Sequence, residues 1–262
     1  MELPGLWPAE PAMTVRTSLP AGRPPRVAVI ATTPRNREYG RRAFRLMGCS
    51  VLIFVSVDEF LEIGDRAQEL AMVNLEHVPS NGQKDANTPS IGERVREAVG
   101  DAMPIVHSVS MHSSGVIPGF RNNDMLLPNS LYFAQLCRTL RAFLQKNGLP
   151  VNERQLEWDE YRFCVDSGLI FVRDKPVVVK QDEFDLALEL FFNIDSRVSR
   201  SWLRSMVPSL QTLRKRATAP TADAALTQIG ELLHLKPGYG WELAMDPGLS
   251  CRLSHSRQVE SI

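Results

Sequence analysis

The final hundred or so residues constrain the fold most, because helix-period segments there give way to a two-strand hairpin pattern. From Gln181 the apolar residues Phe184, Leu186, Ala187, Leu188, Leu190 and Phe191 stand at helical rather than strand spacing. Asp182 and Glu183 fall in the first turn, where negative charge suits the helix dipole. The pattern stops at Asn193-Ile194-Asp195-Ser196. A second helix is expected from Ser199 as N-cap, carrying Trp202, Leu203 and Met206 inward and ending at Pro208. A third, Thr221–Leu235, places Ala222, Leu226, Ile229 and Leu233 on one face, with Asp223, Ala224, Thr227, Gln228 and Glu231 opposite. Gly240–Met245 and Ser250–Leu253 then flank a Pro247-Gly248 turn. With short strands before it, this order describes an α+β winged helix-turn-helix.

The first half reads differently. Arg26–Ala31 is a continuous apolar run, as expected for a strand buried on both faces. Pro34 opens a helix with Tyr39, Ala43, Phe44 and Met47 inward. Strands are expected at Ser50–Phe54, Leu70–Leu75, Pro104–Val109 and Met125–Pro128, with helices at Val57–Ile63, Ser90–Val99 and Leu131–Lys146. Such alternation indicates a doubly wound parallel sheet. Asn147-Gly148-Leu149-Pro150 breaks it, so the expected organisation is a proline-rich disordered extension (1–25), an α/β domain (26–147), a linker (148–156), the winged-helix domain (157–255) and a tail (256–262).

Tyr161-Arg162-Phe163, Val177–Leu186, Arg197–Leu203 and Leu233–Pro237 with Gly240–Leu243, Gly248 and Cys251-Arg252-Leu253 resemble an OmpR/PhoB-type effector domain in residues and order. The first half resembles a response-regulator receiver, which implies a flavodoxin-like (CheY-like) fold. That resemblance implies a magnesium-binding acid pair after the first strand, a phosphorylated aspartate ending the third and a lysine after the fifth. The matching positions here are Ala31 and Thr32, Asn74, and Leu127 in Leu126-Leu127-Pro128. Phosphoryl transfer to a side chain needs a carboxylate nucleophile and cations for the developing charge. An amide at Asn74, with no acid pair and no lysine, implies a pseudo-receiver. The chain as a whole is similar to HrpG-type regulators, OmpR-class activators of type III secretion genes in plant-pathogenic bacteria.

The resemblance also implies double-stranded DNA as partner, homodimer formation through the receiver face that includes Leu131–Lys146, and contact with RNA polymerase or a regulatory protein. Arg138 and Arg141, one turn apart on that helix, are the expected dimerisation residues. Thirty basic and thirty acidic residues among 262 give no net charge, which alone argues against nucleic acid. Distribution reverses this: Arg197, Arg200, Arg204, Arg214, Lys215 and Arg216 fall in a stretch without acids. These residues, Thr221 at the helix start and Arg252 in the wing are the expected DNA-binding set. Ala224, Thr227 and Gln228 complete it, with Gln228 suited to adenine and Ala224 or Thr227 to thymine methyls. The third helix is otherwise poor in cations, and Glu231 opposes phosphates. This keeps open an adaptor that docks on another regulator.

Other chemistry is disfavoured. Cys49, Cys137, Cys164 and Cys251 are scattered, and His77, His107 and His112 lack helical ligand spacing, so no metal is expected. The acids Asp58, Glu59 and Glu62 read as a solvated helix face. No glycine-rich phosphate loop follows the first strand, which argues against a nucleotide enzyme and any cofactor. Without a membrane-length apolar stretch or a leader-like start, a cytoplasmic protein is expected.

Overall fold

The computed structural model describes residues 23–77, 89–110, 117–151, 155–207, 210, 221–237 and 240–255. Residues 1–22 of the proline-rich extension, the tail, Pro208, His112, Arg214, Lys215 and Arg216 lie outside the described residues.

The first domain contains β1 (Arg26–Ile30), α1 (Pro34–Leu46), β2 (Ser50–Phe54), α2 (Val57–Leu61), β3 (Met72–Glu76), α3 (Ile91–Val99), β4 (Ile105–Val109), β5 (Met125–Pro128) and α4 (Phe133–Lys146). A 3-10 segment, Gly64–Glu69, bridges α2 and β3. The sheet is parallel, with strand order β2-β1-β3-β4-β5. This is the flavodoxin-like doubly wound arrangement. Strand periodicity sorts its two faces. Val27, Val29, Met72, Val106 and Leu127 join the core shared with α1 and α4. Ala28, Ile30, Val73, Leu75 and Ile105 pack with α2 and α3. Thr33, Ser56 and Ser90 cap α1, α2 and α3 through their side-chain oxygens.

Between β4 and β5 the described residues form turns. Residues 117–124 lie against α3 so closely that a Cβ on Gly92 would sit 2.5 Å from the Pro118 carbonyl. Asp124 organises this corner. Its carboxylate accepts both Nη2 contacts of Arg96 (2.7 and 2.6 Å) and the N–H groups of Ile105 and Arg121 (2.9 and 2.7 Å). His107 Nε2 lies 3.3 Å from it, and the other ring nitrogen lies 2.8 Å from His77 Nε2. Burial pushes the Asp124 carboxyl up, yet the bonds from His107, Arg96 and the two amides outweigh it and hold the carboxyl below its usual range.

The second domain opens with an antiparallel sheet of β6 (Leu156–Trp158), β7 (Tyr161–Cys164), β8 (Leu169–Val172) and β9 (Lys175–Val177). There follow α5 (Gln181–Phe192), β10 (Val198–Ser199), α6 (Arg200–Met206), α7 (Ala222–Leu232), β11 (Trp241–Asp246) and β12 (Ser250–His255). Strands β10, β12 and β11 form the wing sheet. Leu226, Ile229 and Leu233 point inward from α7 and its end, and Tyr161 Oη donates to the Leu233 carbonyl at 2.7 Å. The result is a winged helix-turn-helix. Ser199 caps α6 as expected, and Thr221, at the expected helix start, caps α7.

The two domains share one core. Phe133 of α4 meets the Phe192 ring edge-on at 6.0 Å, and Trp158 packs on Phe163, Phe191 and Phe192. Within α5, Asp185 and Glu189 are each only 1% exposed, and both face the first domain. Asp185 accepts from Tyr39 Oη and from the Phe133 N–H, each at 3.1 Å, and so caps the start of α4 from the other domain. Glu189 pairs with Arg42 at 2.5 Å and also accepts from Trp202 Nε1 at 2.6 Å. The Arg42 guanidinium stacks over the Phe192 ring, 4.4 Å from its centroid.

This docking uses α4, the helix expected to mediate pairing between copies. Arg138 Nη1 donates to the Asp166 carbonyl at 2.9 Å, and Arg141 Nη1 reaches the Asp166 carboxylate at 2.5 Å. The acid that both arginines meet is therefore in the same chain.

Candidate functional site

In a parallel sheet of this order, ligands bind beyond the carboxyl ends of the strands where the crossovers reverse direction, here β1 and β3. The register pairs Val29 with Asn74 and Ile30 with Leu75, which leaves Glu76 to end β3 at that edge. Asn74 lies deeper, beneath α1, and its Oδ1 accepts from Ser108 Oγ at 2.9 Å. A Cβ on Gly40 would come within 3.1 Å of the Asn74 amide nitrogen, so α1 approaches the sheet closely there. Leu127, on β5, and Ala31, after β1, are both buried on the same face of the sheet. The space left among Arg35, Asn36, Asn74, Ser108 and Leu127 is about 20 Å³, enough for one water.

The expectation that Asn74 ends the third strand is thus corrected: the strand runs on by two residues, and the acid at its tip is Glu76. Its side chain is fully engaged. Oε2 accepts from Thr32 N (2.7 Å), Thr32 Oγ (3.2 Å) and Thr33 N (3.0 Å). Oε1 accepts from Thr33 Oγ (2.8 Å) and Asn36 Nδ2 (2.6 Å). A carboxylate has about four lone-pair positions, so little capacity remains for an incoming group. The amino-terminal dipole of α1 supplies the compensating positive charge. Sequence reasoning missed Glu76, although a charge closing a strand that is otherwise apolar and buried was the available signal.

The second site is the outward surface of α7 and the wing. Thr221, Ala224, Thr227, Gln228 and Glu231 are exposed on one side of α7. Thr227 Oγ donates back to the Asp223 carbonyl (2.9 Å), and Gln228 Nε2 donates to Glu183 Oε1 (2.8 Å), which leaves the second amide hydrogen and the carbonyl of Gln228 free of that bond. Arg197, Arg204 and Arg252 are exposed.

Arg200 departs from expectation. Its side chain is 2% exposed and pairs with Asp223 at 2.5 Å, joining the start of α6 to the start of α7. Asp223 also accepts from the Gly248 N–H at 3.2 Å and so holds the wing turn. Arg200 therefore builds the domain and does not face phosphates. On the wing, Leu249 is 75% exposed and Met245 39%.

Fold and sites together define a class: a receiver-type α/β domain that carries a winged helix-turn-helix domain on a shared core. No protein-family model matches this sequence, and no curated protein matches it. Among solved structures, the chain is similar to the response regulator DrrB of Thermotoga maritima, an OmpR/PhoB homologue, at 13% identity over 88% of this chain and 100% of that one, with a TM-score of 0.33. A streptococcal protein described among redox sensors evolved from two-component response regulators aligns at 12% identity over 88% and 99% of the two chains, with a TM-score of 0.36. A receiver protein from Burkholderia phymatum aligns at 23% identity over 48% of this chain and 98% of its own, with a TM-score of 0.36. Among the described residues, no helix is long and apolar enough to cross a membrane.

Proposed function

We propose that this chain is a DNA-binding transcription regulator whose receiver works without aspartate phosphorylation. The observation that carries the proposal is the exposed side of α7 lying next to a wing, with Arg197, Arg204 and Arg252 exposed around them. Double-stranded DNA is the proposed partner, bound as a homodimer on paired half-sites, with RNA polymerase or a regulatory protein recruited beside it. The resemblance to HrpG-type regulators extends the proposal to genes of type III secretion.

Backbone contacts position a protein on DNA and base contacts specify the site. If a dimer neutralises about six phosphates, its affinity should fall about a thousandfold between 50 and 200 mM salt. Lys215→Ala should weaken all duplexes alike and flatten the salt slope by about one per subunit. Gln228→Ala should instead lower the preference for the best site by about 1–3 kcal/mol. Fluorescence anisotropy with duplexes selected from a random pool measures both. Salt-insensitive binding, indifferent to either change, would put the adaptor reading ahead. That second reading draws on the apolar wing tip, Met245 and Leu249, and on the acid Glu231 at the exposed side of α7.

The receiver half of the proposal has its own test. Acetyl phosphate with magnesium is expected to leave the intact mass unchanged, because Glu76 is saturated and Ala31, Thr32 and Leu127 offer neither a metal ligand nor a cation. A stoichiometric phosphate adduct in the receiver would refute it.

A further inference from the structure

The first turn of α1 touches three parts of the molecule at once. At its amino end, Thr33 and Asn36 donate to Glu76. The neighbouring residue, Arg35, is buried and turns the other way. Its Nε donates to the Met206 carbonyl at the end of α6 (2.9 Å), its Nη2 to the Leu131 carbonyl (2.5 Å), and its Nη1 to the Asn129 carbonyl. Asn129 and Leu131 form the loop between β5 and α4, and Met206 belongs to the second domain. A guanidinium at a helix carboxyl end satisfies carbonyls that have no partner within the helix and complements the dipole there. Arg35 thus caps α6 from across the domain boundary.

We propose that Glu76 is a built-in anionic ligand of the carboxyl-edge site, and that Arg35 relays its presence to the end of α6, so that one docked state is held without a phosphoryl group. The physical steps are short. The Glu76 carboxylate gathers the N–H groups of Thr32 and Thr33 and the Asn36 amide, which fixes where α1 begins. Asn36 and Arg35 are adjacent in the same helical turn, so fixing one side chain fixes the origin of the other. Arg35 then holds α6 where it leads into residues 208–220, the stretch that carries Arg214, Lys215 and Arg216. The crevice that would admit an external anion is occupied by the protein's own acid, and the state it enforces is passed to the domain proposed to bind DNA.

The inference adds to the proposed function a statement of what holds the receiver, and its test needs no DNA. Amide hydrogen exchange on the full chain would compare wild type with Glu76→Gln, which keeps the size of the side chain and removes the charge. Hydrogen bonds to a charged group outweigh neutral ones, so exchange should rise about tenfold or more in the loop at Thr32 and Thr33. A rise is also expected in the last turn of α6, near Val207. Arg35→Gln should raise exchange at the end of α6 and in the loop before α4 and leave the Thr32–Thr33 loop unchanged. Should Glu76→Gln fail to fold, Asn36→Ala removes a single donor from Glu76 and should produce the same two-site rise at smaller amplitude. Loosening confined to the loop, with α6 unchanged in Glu76→Gln or Asn36→Ala, overturns the relay. An unchanged α6 in Arg35→Gln overturns it equally, and an unchanged loop in Glu76→Gln overturns the ligand role of Glu76.

Discussion

Glu189→Ala is expected to destabilise the chain by up to about 3–5 kcal/mol, because it removes the nearer counter-charge of a buried guanidinium and leaves only Glu38, 3.6 Å away. Arg42 and Glu189 have side-chain exposures of 7% and 1%, so water cannot replace the lost partner. The same carboxylate also accepts from Trp202 and from Asn193 Nδ2 (2.8 Å), which tie α6 and the end of α5 to it. Urea unfolding of the full chain gives the measurement. A shift below about 1 kcal/mol would show that the pair adds nothing beyond a surface bridge. The double variant Arg42→Met with Glu189→Leu should recover much of the loss, since apolar replacement of a buried pair is often neutral or stabilising.

The same interface carries a pH dependence. Burial pushes the Asp185 carboxyl up to about 7, against bonds from Phe133 N and Tyr39 Oη that act in the opposite direction. A carboxyl raised in the folded state binds its proton more tightly there than in the unfolded chain. Its contribution to stability is therefore complete below the unfolded value of 3.8 and is lost as pH rises towards about 7. Urea midpoints followed across that window should fall more in wild type than in Asp185→Asn, which does not titrate.

Asp124→Ala is expected to have an effect of similar size, about 3–5 kcal/mol, for a related reason. Asp124 and its partner Arg96 have side-chain exposures of 0% and 5%. Removing the carboxylate also strands the Ile105 N–H at the start of β4 and the His107 ring nitrogen. Unsatisfied buried donors cost about 1–3 kcal/mol each. Arg96 keeps the carbonyls of Gly100 and Met103 (2.9 and 2.6 Å), which limits the loss. Asp124→Asn should lie between wild type and Asp124→Ala. A double-mutant cycle with Arg96→Ala should give a coupling above about 1 kcal/mol; additive losses would mean that the pair does not act as a unit.

Several of these groups carry a signature in the sequence. Asp185 and Glu189 stand four residues apart inside the otherwise apolar run Phe184–Phe192, and Arg35, Tyr39 and Arg42 recur at helical spacing on α1. Acids within an apolar face, matched by cations and a hydroxyl on another helix, are a sign of docking between two elements. Nothing in the sequence, however, says which elements dock. The same holds for Arg138 and Arg141: helical spacing puts them on one face, but that their acid is Asp166 of the same chain follows from where the second domain sits.

Strand and helix order, the helix starts at Ser90 and Thr221, the cap at Ser199, the inward row of α7 and the wing turn were all determined by the sequence itself. They depend on neighbours at two, three and four residues, where pleat and helix geometry act directly. The tertiary structure alone decided that Glu76 rather than Asn74 meets the loop after β1, that Arg200 is buried against Asp223, and that the His77 and His107 rings hydrogen-bond to each other. It also decided that Arg35 and Asp185 cap helices in the opposite domain. These partners lie far apart in the chain, and parallel-strand register and domain packing choose among many acids and cations that look equivalent in sequence. A shift of two residues along β3 keeps each side chain on its face and puts a hydrogen-bonded carboxylate, not an amide, at the sheet edge.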